Sequence, residues 1–400
     1  MVSTAGGGGH YTQMPSLYVD GYNKAKAVDP VLADAYIRNT LVGDPAADAA
    51  MASLADFTQA ESHRLIEAGM NGDEETLRKA PDALRAFFRE IDRPPPFEYD
   101  PEKAAVGARA FYKYSDLFFV GLVLDSLVTG LSEDLAKAFY ITGRTAGNLR
   151  RVKQNTRQLV EITLPGGMDR QGDGWKLTVR IRMIHAQVRQ MLLDSDEWDV
   201  PREGLPLHMA HMALASTGFS AILLDSARKL GVPLTEEESE GFMHIWHYVT
   251  WLLGVPEELL YRTEKEALEV RKIARLCERP PGEMAAEVAH GYIGTVPELL
   301  GVTKPAKQKR LFNALYRTSR ALMGNELADT LDFPKQSTVG ALAFVRAQRK
   351  AKILYSKIMP GARSHDFNNF AGMLQRSVYD DTGISYRMPD AIKDTASTPW

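Results

Sequence analysis

The stretch Val179–Arg189, VRIRMIHAQVR, combines an apolar helical stripe with three nitrogen-bearing side chains. Arg182, His185 and Arg189 follow one another at spacings of three and four residues, so a helix carries all three on one side. A neutral imidazole flanked by two guanidinium groups suits the iron and the paired carboxylates of a haem. The same spacing also fits an ordinary core histidine beside solvated arginines, and the stretch alone favours this second interpretation.

The composition is that of a globular protein with a large core. The 400 residues are 44% hydrophobic and 25% charged, and the formal net charge is -3. This balance argues against a nucleic acid partner, because such binding requires a concentrated basic surface. The single cysteine, Cys277, excludes an intramolecular disulfide and any cysteine-rich zinc or iron–sulfur site.

Helical periodicity recurs along nearly the whole chain, and period-two alternation of useful length does not occur. The sequence therefore predicts an all-α protein with a single large helical domain. We expect a disordered N-terminus over 1–16, the helical domain over 17–380 with its core at 132–260, and an irregular tail over 381–400.

Start and stop signals bound the helices around the opening stretch. A helical pattern begins at Ser132 and runs to about Thr163, where the following Pro-Gly-Gly stops it. After a polar loop, Trp175 opens the helix that carries His185. Thr235 begins a later helix with a capping box.

The N-terminus lacks the basic and apolar regions of a secretion signal. We therefore expect a cytoplasmic protein, or a secreted one if the chain is a trimmed mature form. The longest apolar run, Leu117–Val128, contains Asp125 and is shorter than the ~20 residues of a transmembrane helix. The sequence thus predicts a buried core helix and no transmembrane segment.

Histidine pairs offer a different chemistry. Two H-x-x-H pairs and one E-x-x-H pair lie on separate predicted helices, and histidines at i and i+3 can share a metal ion. These pairs are His208 with His211, His244 with His247, and Glu287 with His290. They keep open a non-haem metal enzyme, although a complete ligand set is not evident, and they equally fit core histidines with ordinary hydrogen bonds.

A basic cluster precedes the opening helix. The segment 144–157, RTAGNLRRVKQNTR, is flanked by apolar residues on both sides, so part of it must turn toward the interior. A buried cation needs an anionic or polar partner, which haem propionates or bound dioxygen can supply. A solvated basic face is the other interpretation.

Taken together, these blocks resemble, in order and spacing, the catalytic domain shared by rubber oxygenases and MpaB-type oxygenases. The blocks are the basic helix, LVEITLPGG, VRIRMIHAQVR, LPLHMAHMALAS and HIWHYVTWLLGVPEELL. The similarity runs from about Ser132 to Leu260 and is weaker on both sides. It implies a helical fold with a globin-like core, a non-covalent b-type haem, and oxidative cleavage of carbon–carbon double bonds in apolar substrates.

The resemblance also assigns residues on the proximal side of the haem. His185 falls on the family's proximal haem ligand, so it is the expected iron ligand. Arg182 and Arg189 fall on the neighbouring arginines, and we expect one of them to neutralise a haem propionate.

On the distal side the family has an arginine, a lysine that can occupy the sixth position, and a threonine. Arg150 or Arg151, Lys153 and Thr156 are the matching residue types, with a register that stays open by one or two positions. The resemblance implies that they stabilise bound dioxygen.

Rubber-cleaving members of the family also use a distal glutamate as a base. The nearest positions here are Glu133 and Asp134, and an aspartate would have a shorter reach. Aromatic residues around Phe118–Phe119 and Trp246–Trp251 are candidates for the lining of a substrate channel, or are plain core.

The sequence therefore predicts a haem b oxygenase that uses dioxygen and an apolar unsaturated substrate of isoprenoid, polyisoprenoid or lipid type. Two alternatives stay open. One is the non-haem metal enzyme built on the histidine pairs, and the other is a haem-binding helical protein without oxygenase turnover.

Overall fold

The structure is a computed structural model that describes residues 13–142, 148–358, 370–374 and 377. These residues contain helices and turns and no β-strand, which confirms the all-α prediction. Most of the predicted N-terminal segment 1–16 and the whole tail 381–400 lie outside the described residues.

The first half of the chain builds the helices that surround the opening stretch. They are α1 (Val19–Lys26), α2 (Pro30–Arg38), α3 (Pro45–Ala52), α4 (Gln59–Asn71), α5 (Glu74–Leu77), α6 (Asp82–Ile91), α7 (Pro101–Lys113), α8 (Ser115–Gly121), α9 (Leu127–Thr129), α10 (Glu133–Ile141), α11 (Asn148–Thr163) and α12 (Asp173–Leu193). Aspartates cap α2, α3 and α7, each followed by proline in the first turn, where its missing N–H costs nothing.

The second half continues in the same way. Its helices are α13 (Val200–Glu203), α14 (Met209–Thr217), α15 (Leu223–Lys229), α16 (Glu236–Leu252), α17 (Glu264–Cys277), α18 (Glu283–Gly294), α19 (Val296–Leu299), α20 (Pro305–Met323), α21 (Asn325–Thr330) and α22 (Ala341–Ile358). The predicted capping box at Thr235 is present at the start of α16, and Thr263 forms another at α17.

Two runs that periodicity predicts as continuous helices contain π-helical segments. Leu122–Ser126 joins α8 to α9, and Gly218–Ile222 joins α14 to α15. A π-segment inserts an extra residue without changing the apolar character of the run, so hydrophobic periodicity does not reveal it. The predicted run from Ser132 to Thr163 is also divided, into α10 and α11, and residues 143–147 between them lie outside the described residues.

Helix α12 lies at the centre of the packing, against α3, α11 and α16. Helices α7 and α16 approach closely because glycines face each other: a Cβ on Gly107 would overlap the Phe242 backbone nitrogen. Helices α1 and α2 pack on α17. No single helix in the described part of the chain is long and apolar enough to cross a membrane, and one bent pair, Ser115–Thr129 with Glu133–Ile141, reaches that length and composition only in combination.

Candidate functional site

The contact between α11 and α12 determines what His185 faces. Near the start of α12, a Cβ added to Gly174 would lie 2.6 Å from the Glu161 oxygen and 2.7 Å from Ile162 Cα. The two helices are joined by residues 164–172 and pack against each other. His185 follows Gly174 by eleven residues, about three turns with a phase difference of about 20°. It therefore lies on the same side of α12 as Gly174, the side that contacts α11.

The surroundings of His185 are more open than its place in the helix suggests. Ile181 and His185 are half-buried, although they belong to a stripe of α12 whose other members are buried, namely Leu177, Thr178, Val188 and Leu192. The His185 imidazole is thus partly exposed within a stripe that is otherwise buried. This geometry suits an imidazole that contacts a bound group between the two helices.

The basic residues at the start of α11 are half-buried. Arg151 is held in place: it donates to the Tyr292 hydroxyl at 3.3 Å, and its guanidinium lies 3.8 Å from the centre of the Phe139 ring. Arg150 and Lys153 are half-buried as well. No described carboxylate lies within ion-pair distance of Arg151 or Lys153 in the ranges that the structure covers.

Thr156 is placed differently from the other predicted distal residues. Its hydroxyl donates to the Val152 carbonyl at 2.7 Å within α11, and the side chain is buried. The hydroxyl proton is therefore used inside the helix, and Thr156 can offer a ligand only a lone pair.

Arg182 and Arg189, predicted as propionate partners, have protein carboxylates as partners. Arg182 forms a bidentate pair with Asp44, at 2.5 and 2.9 Å, and donates to the Leu252 carbonyl at 3.2 Å. Arg189 binds Asp48 at 2.5 Å. It also donates to two backbone carbonyls, those of Pro206 and Leu207. These contacts fix α12 against α3 and against the 204–208 loop, and they speak against a propionate role for either arginine.

Glu133 and Asp134, the candidate bases, differ in their contacts. Glu133 accepts backbone N–H bonds from Gly282 at 2.6 Å and from Met284 and Ala285 at 3.2 Å, so it caps α18. Both its oxygens are occupied, which argues against proton transfer. Asp134 pairs with Arg279 through Oδ1, whereas its buried Oδ2 has no hydrogen-bond partner among the described residues. Burial raises the pKa of Asp134 even though Arg279 opposes the shift.

The structure joins His208 and His211 to Glu278, a residue that the sequence interpretation missed. The three buried side chains offer ligand atoms within 4.8 Å of one another. Two tyrosines complete the cluster: Tyr18 lies 3.0 Å from His208 Nε2 and 3.4 Å from Glu278 Oε1, and Tyr36 donates to the same oxygen at 2.7 Å. The only sign of this role in the sequence is that Glu278 is an acidic residue directly after the helix that ends at Cys277.

Two histidines and one carboxylate are also a set that binds divalent iron or zinc. Here, however, His208 Nδ1 accepts the His211 amide at 3.0 Å, so its ring proton resides on Nε2. His211 Nε2 lies 3.1 Å from Glu278, while its Nδ1 has no partner among the described residues. A metal on His208 Nε2 would move the ring proton onto Nδ1, which already faces the His211 backbone N–H and cannot donate to it. The contacts therefore favour a hydrogen-bond network that ties α14 to the end of α17.

The remaining histidine pairs do not assemble metal sites among the described residues either. His290 contacts the Tyr316 hydroxyl at 2.7 Å and the Leu331 carbonyl at 3.1 Å, and Glu287 is exposed. His244 and His247 lie on the wall of a cavity of about 740 Å³ between α16, the start of α17 and the segment before α7.

The candidate channel aromatics divide between core and partly exposed positions. Phe118 and Trp246 are buried, and Phe118 packs on Phe111 and Phe242. Phe119 and Trp251 are half-buried. The first pair belongs to the core, and the channel role of the others stays a prediction.

Comparisons with known proteins agree with this architecture. Residues 112–351 match a family described as ER-bound oxygenase mpaB/B′/rubber oxygenase, catalytic domain. A rubber oxygenase from Streptomyces sp. (strain K30) is 26% identical over 315 residues, which cover 75% of this chain and 73% of that protein. Latex clearing protein in its closed state has a similar structure, with a TM-score of 0.65, 19% sequence identity, and coverage of 89% of this chain and 95% of its own. At 19% sequence identity, this structural similarity supports a shared fold and nothing further.

Proposed function

Because this chain belongs to the family of MpaB-type and rubber oxygenase catalytic domains, we propose that it is a haem b oxygenase. Its substrate would be an apolar unsaturated molecule of isoprenoid or lipid class, and the similarity to a rubber oxygenase supports the isoprenoid class. The observation that carries the proposal is the half-buried His185 on the side of α12 that also carries Gly174, where α12 contacts α11.

The residues between α11 and α12 fit a haem. His185 supplies an imidazole that would bind the iron from one side. On α11, Arg151 and Lys153 are half-buried cations with no carboxylate partner in the described ranges, whereas the buried Arg182 and Arg189 both have one. Cations without a carboxylate partner are available to an anionic or strongly polar ligand.

Haem b supplies an iron centre that activates dioxygen for reaction with a carbon–carbon double bond. The protein supplies positioned donors. The Arg151 guanidinium is held by Tyr292 and by the Phe139 ring, so its N–H groups need little reorganisation to stabilise developing negative charge. Lys153 adds an ammonium group on the same helix. Asp134, whose Oδ2 has no hydrogen-bond partner among the described residues, is better suited than Glu133 to hold or move a proton.

The test is the haem content of the purified protein, measured by its absorption spectrum and by the pyridine haemochrome method. We expect one haem per chain and a Soret band, and we expect His185→Ala to lose both. His63→Ala is a matched control, because His63 lies partly exposed on α4 outside this region. An unchanged spectrum in folded His185→Ala protein would show that the ligand assignment is wrong.

Oxygen uptake with squalene and with short polyisoprene oligomers then separates an enzyme from a haem carrier. We expect uptake together with carbonyl products. Haem-loaded protein that gives neither would support the binding protein without turnover. Stoichiometric zinc or iron without a Soret band would instead favour the non-haem metal enzyme.

A further inference from the structure

Two helices late in the chain carry charge of one sign. Residues 299–325 contain six lysine and arginine residues and no aspartate or glutamate. Residues 333–358 contain six more cations, again without an acidic residue. The formal net charge of the whole chain is -3, so the rest of the chain is acidic. Because α20 and α22 lie within these two segments and pack against each other, the positive charge is concentrated in one region of the molecule.

The exposed side of α20 is basic. Lys307, Arg310 and Arg317 follow one another at spacings of three and seven residues, so they lie on one side of the helix. All three are exposed, and none has a carboxylate within ion-pair distance in the part of the chain that the structure describes. The buried Arg320, by contrast, pairs with Asp329 at 2.7 Å. The exposed charges of α20 are therefore not neutralised by neighbouring acidic groups.

The exposed side of α22 carries an apolar stripe. Leu342 and Val345 pack against the core and mark the buried side of the helix. Phe344, Ala347 and Ala351 follow one another at spacings of three and four residues, and all three are exposed. Phe344 is 63% exposed. The solvent side of a helix in a globular protein normally carries polar residues, so an exposed apolar stripe indicates an interaction surface.

The basic side of α20 and the apolar stripe of α22 meet at Val339, just before α22. Val339 is 82% exposed. Arg317 donates to the Val339 carbonyl at 2.5 Å, which places an exposed cation directly beside this exposed apolar residue. Phe344 begins the apolar stripe five residues later. We refer to the region as the C-terminal surface, formed by Lys307, Arg310, Arg317, Val339 and Phe344.

We propose that the C-terminal surface binds an anionic lipid membrane. The exposed cations attract the lipid headgroups, and Val339 and Phe344 enter the boundary between headgroups and acyl chains. A second copy of this chain would place cations against cations on a shared two-fold surface. A nucleic acid would neutralise the cations and leave the apolar stripe in water. The proposal does not depend on bound haem.

The test is co-sedimentation of the full chain with vesicles of phosphatidylcholine, either alone or mixed with phosphatidylserine. We expect binding to the anionic vesicles, and we expect high salt to weaken it because salt screens exposed charges. The triple variant Lys307→Gln, Arg310→Gln, Arg317→Gln should weaken binding at least about tenfold, since each basic residue near an anionic membrane contributes a factor of about five. Phe344→Ser removes the apolar contact and should weaken binding by about tenfold.

The matched control removes three exposed lysines from other parts of the molecule, through Lys24→Gln, Lys79→Gln and Lys272→Gln, and should keep nearly full binding. Equal loss of binding in the two triple variants would overturn the proposal, because only the net charge would then matter. Equal binding to both kinds of vesicle, or to neither, would overturn it as well.

Two further outcomes would assign the C-terminal surface to another partner. Tighter binding to a DNA duplex than to anionic vesicles, unchanged in Phe344→Ser, would indicate a nucleic acid. A dimer in sedimentation equilibrium that Phe344→Ser dissociates would indicate a second copy of this chain. Either result would overturn the membrane proposal. Because haem content is measured independently, failure of this proposal leaves the oxygenase proposal unaffected.

Discussion

Replacement of Arg182 by methionine tests whether this arginine is a structural anchor of α12 or a haem ligand. Arg182 is 7% exposed and Asp44 is 3% exposed. Asp44 receives both guanidinium contacts and also caps α3 through the Ala47 amide at 3.1 Å. Arg182→Met keeps an unbranched apolar stem and removes the guanidinium group with its charge and hydrogen bonds.

The expected loss of stability follows from the burial of the Arg182–Asp44 ion pair. Removing one member leaves the other charge uncompensated in a nearly dry site, which typically costs about 3–5 kcal/mol. A matched control lies on the same helix: Arg180 pairs with Glu67, whose side chain is 40% exposed. Arg180→Met should cost below about 1 kcal/mol, because solvent screens a partly exposed pair.

The pH dependence provides a second measure. Burial raises the pKa of Asp44, but the hydrogen bonds and the charge of Arg182 outweigh it and hold the pKa below its ordinary value. A carboxyl group with a lowered folded-state pKa stabilises the fold above its unfolded pKa of about 3.9 and loses this contribution as the pH falls through the folded value. The difference in free energy of unfolding between wild type and Arg182→Met should therefore have its full size at pH 7 and become smaller below about pH 4.

The assay is urea unfolding followed by circular dichroism, with haem content measured on the folded fraction. We expect the large destabilisation with an unchanged ratio of haem to folded protein. If Arg182→Met and Arg180→Met lose the same small amount of stability, the anchoring role is refuted. If folded Arg182→Met instead loses haem, the original assignment of Arg182 to a propionate is restored.

Three further substitutions test other contacts. Glu133→Ala removes the cap of α18 and should cost about 1–2 kcal/mol in urea unfolding; unchanged stability would contradict the capping role. Gly174→Val adds side-chain atoms where even a Cβ would lie 2.6 Å from a backbone oxygen, so α11 and α12 must move apart. We expect both the haem content and the thermal stability to fall. If the variant keeps both, the close approach of the two helices is unnecessary. Tyr36→Phe removes one hydrogen-bond donor to the buried Glu278 carboxylate and should lower the free energy of unfolding by about 1–3 kcal/mol in the same assay. An unchanged free energy of unfolding would show that the carboxylate has sufficient partners without Tyr36.

Local pattern was sufficient to predict the helical class, the capping box at Thr235 and the family. Apolar spacing reports which face of a helix is buried, and capping residues act within three or four positions, so neither depends on distant parts of the chain. The same spacing gives no sign of either π-segment, because an inserted residue leaves an apolar run apolar. The close approach of α11 and α12 at Gly174 is likewise invisible in the sequence, because it depends on backbone atoms of Glu161 and Ile162 that only the folded chain brings to this glycine.

Tertiary structure alone decided which partner each polar side chain meets. Arg182 and Arg189 resemble haem-binding residues in the sequence, yet their partners are Asp44 and Asp48, more than a hundred positions away. The His208–His211 pair resembles a metal site, and its role depends on Glu278, 67 positions beyond His211. The physical reason is that a buried charge or imidazole must be satisfied by whatever group the packing brings into hydrogen-bond distance. Residue type and spacing determine which chemistry is available, and only the packing determines which of it is used.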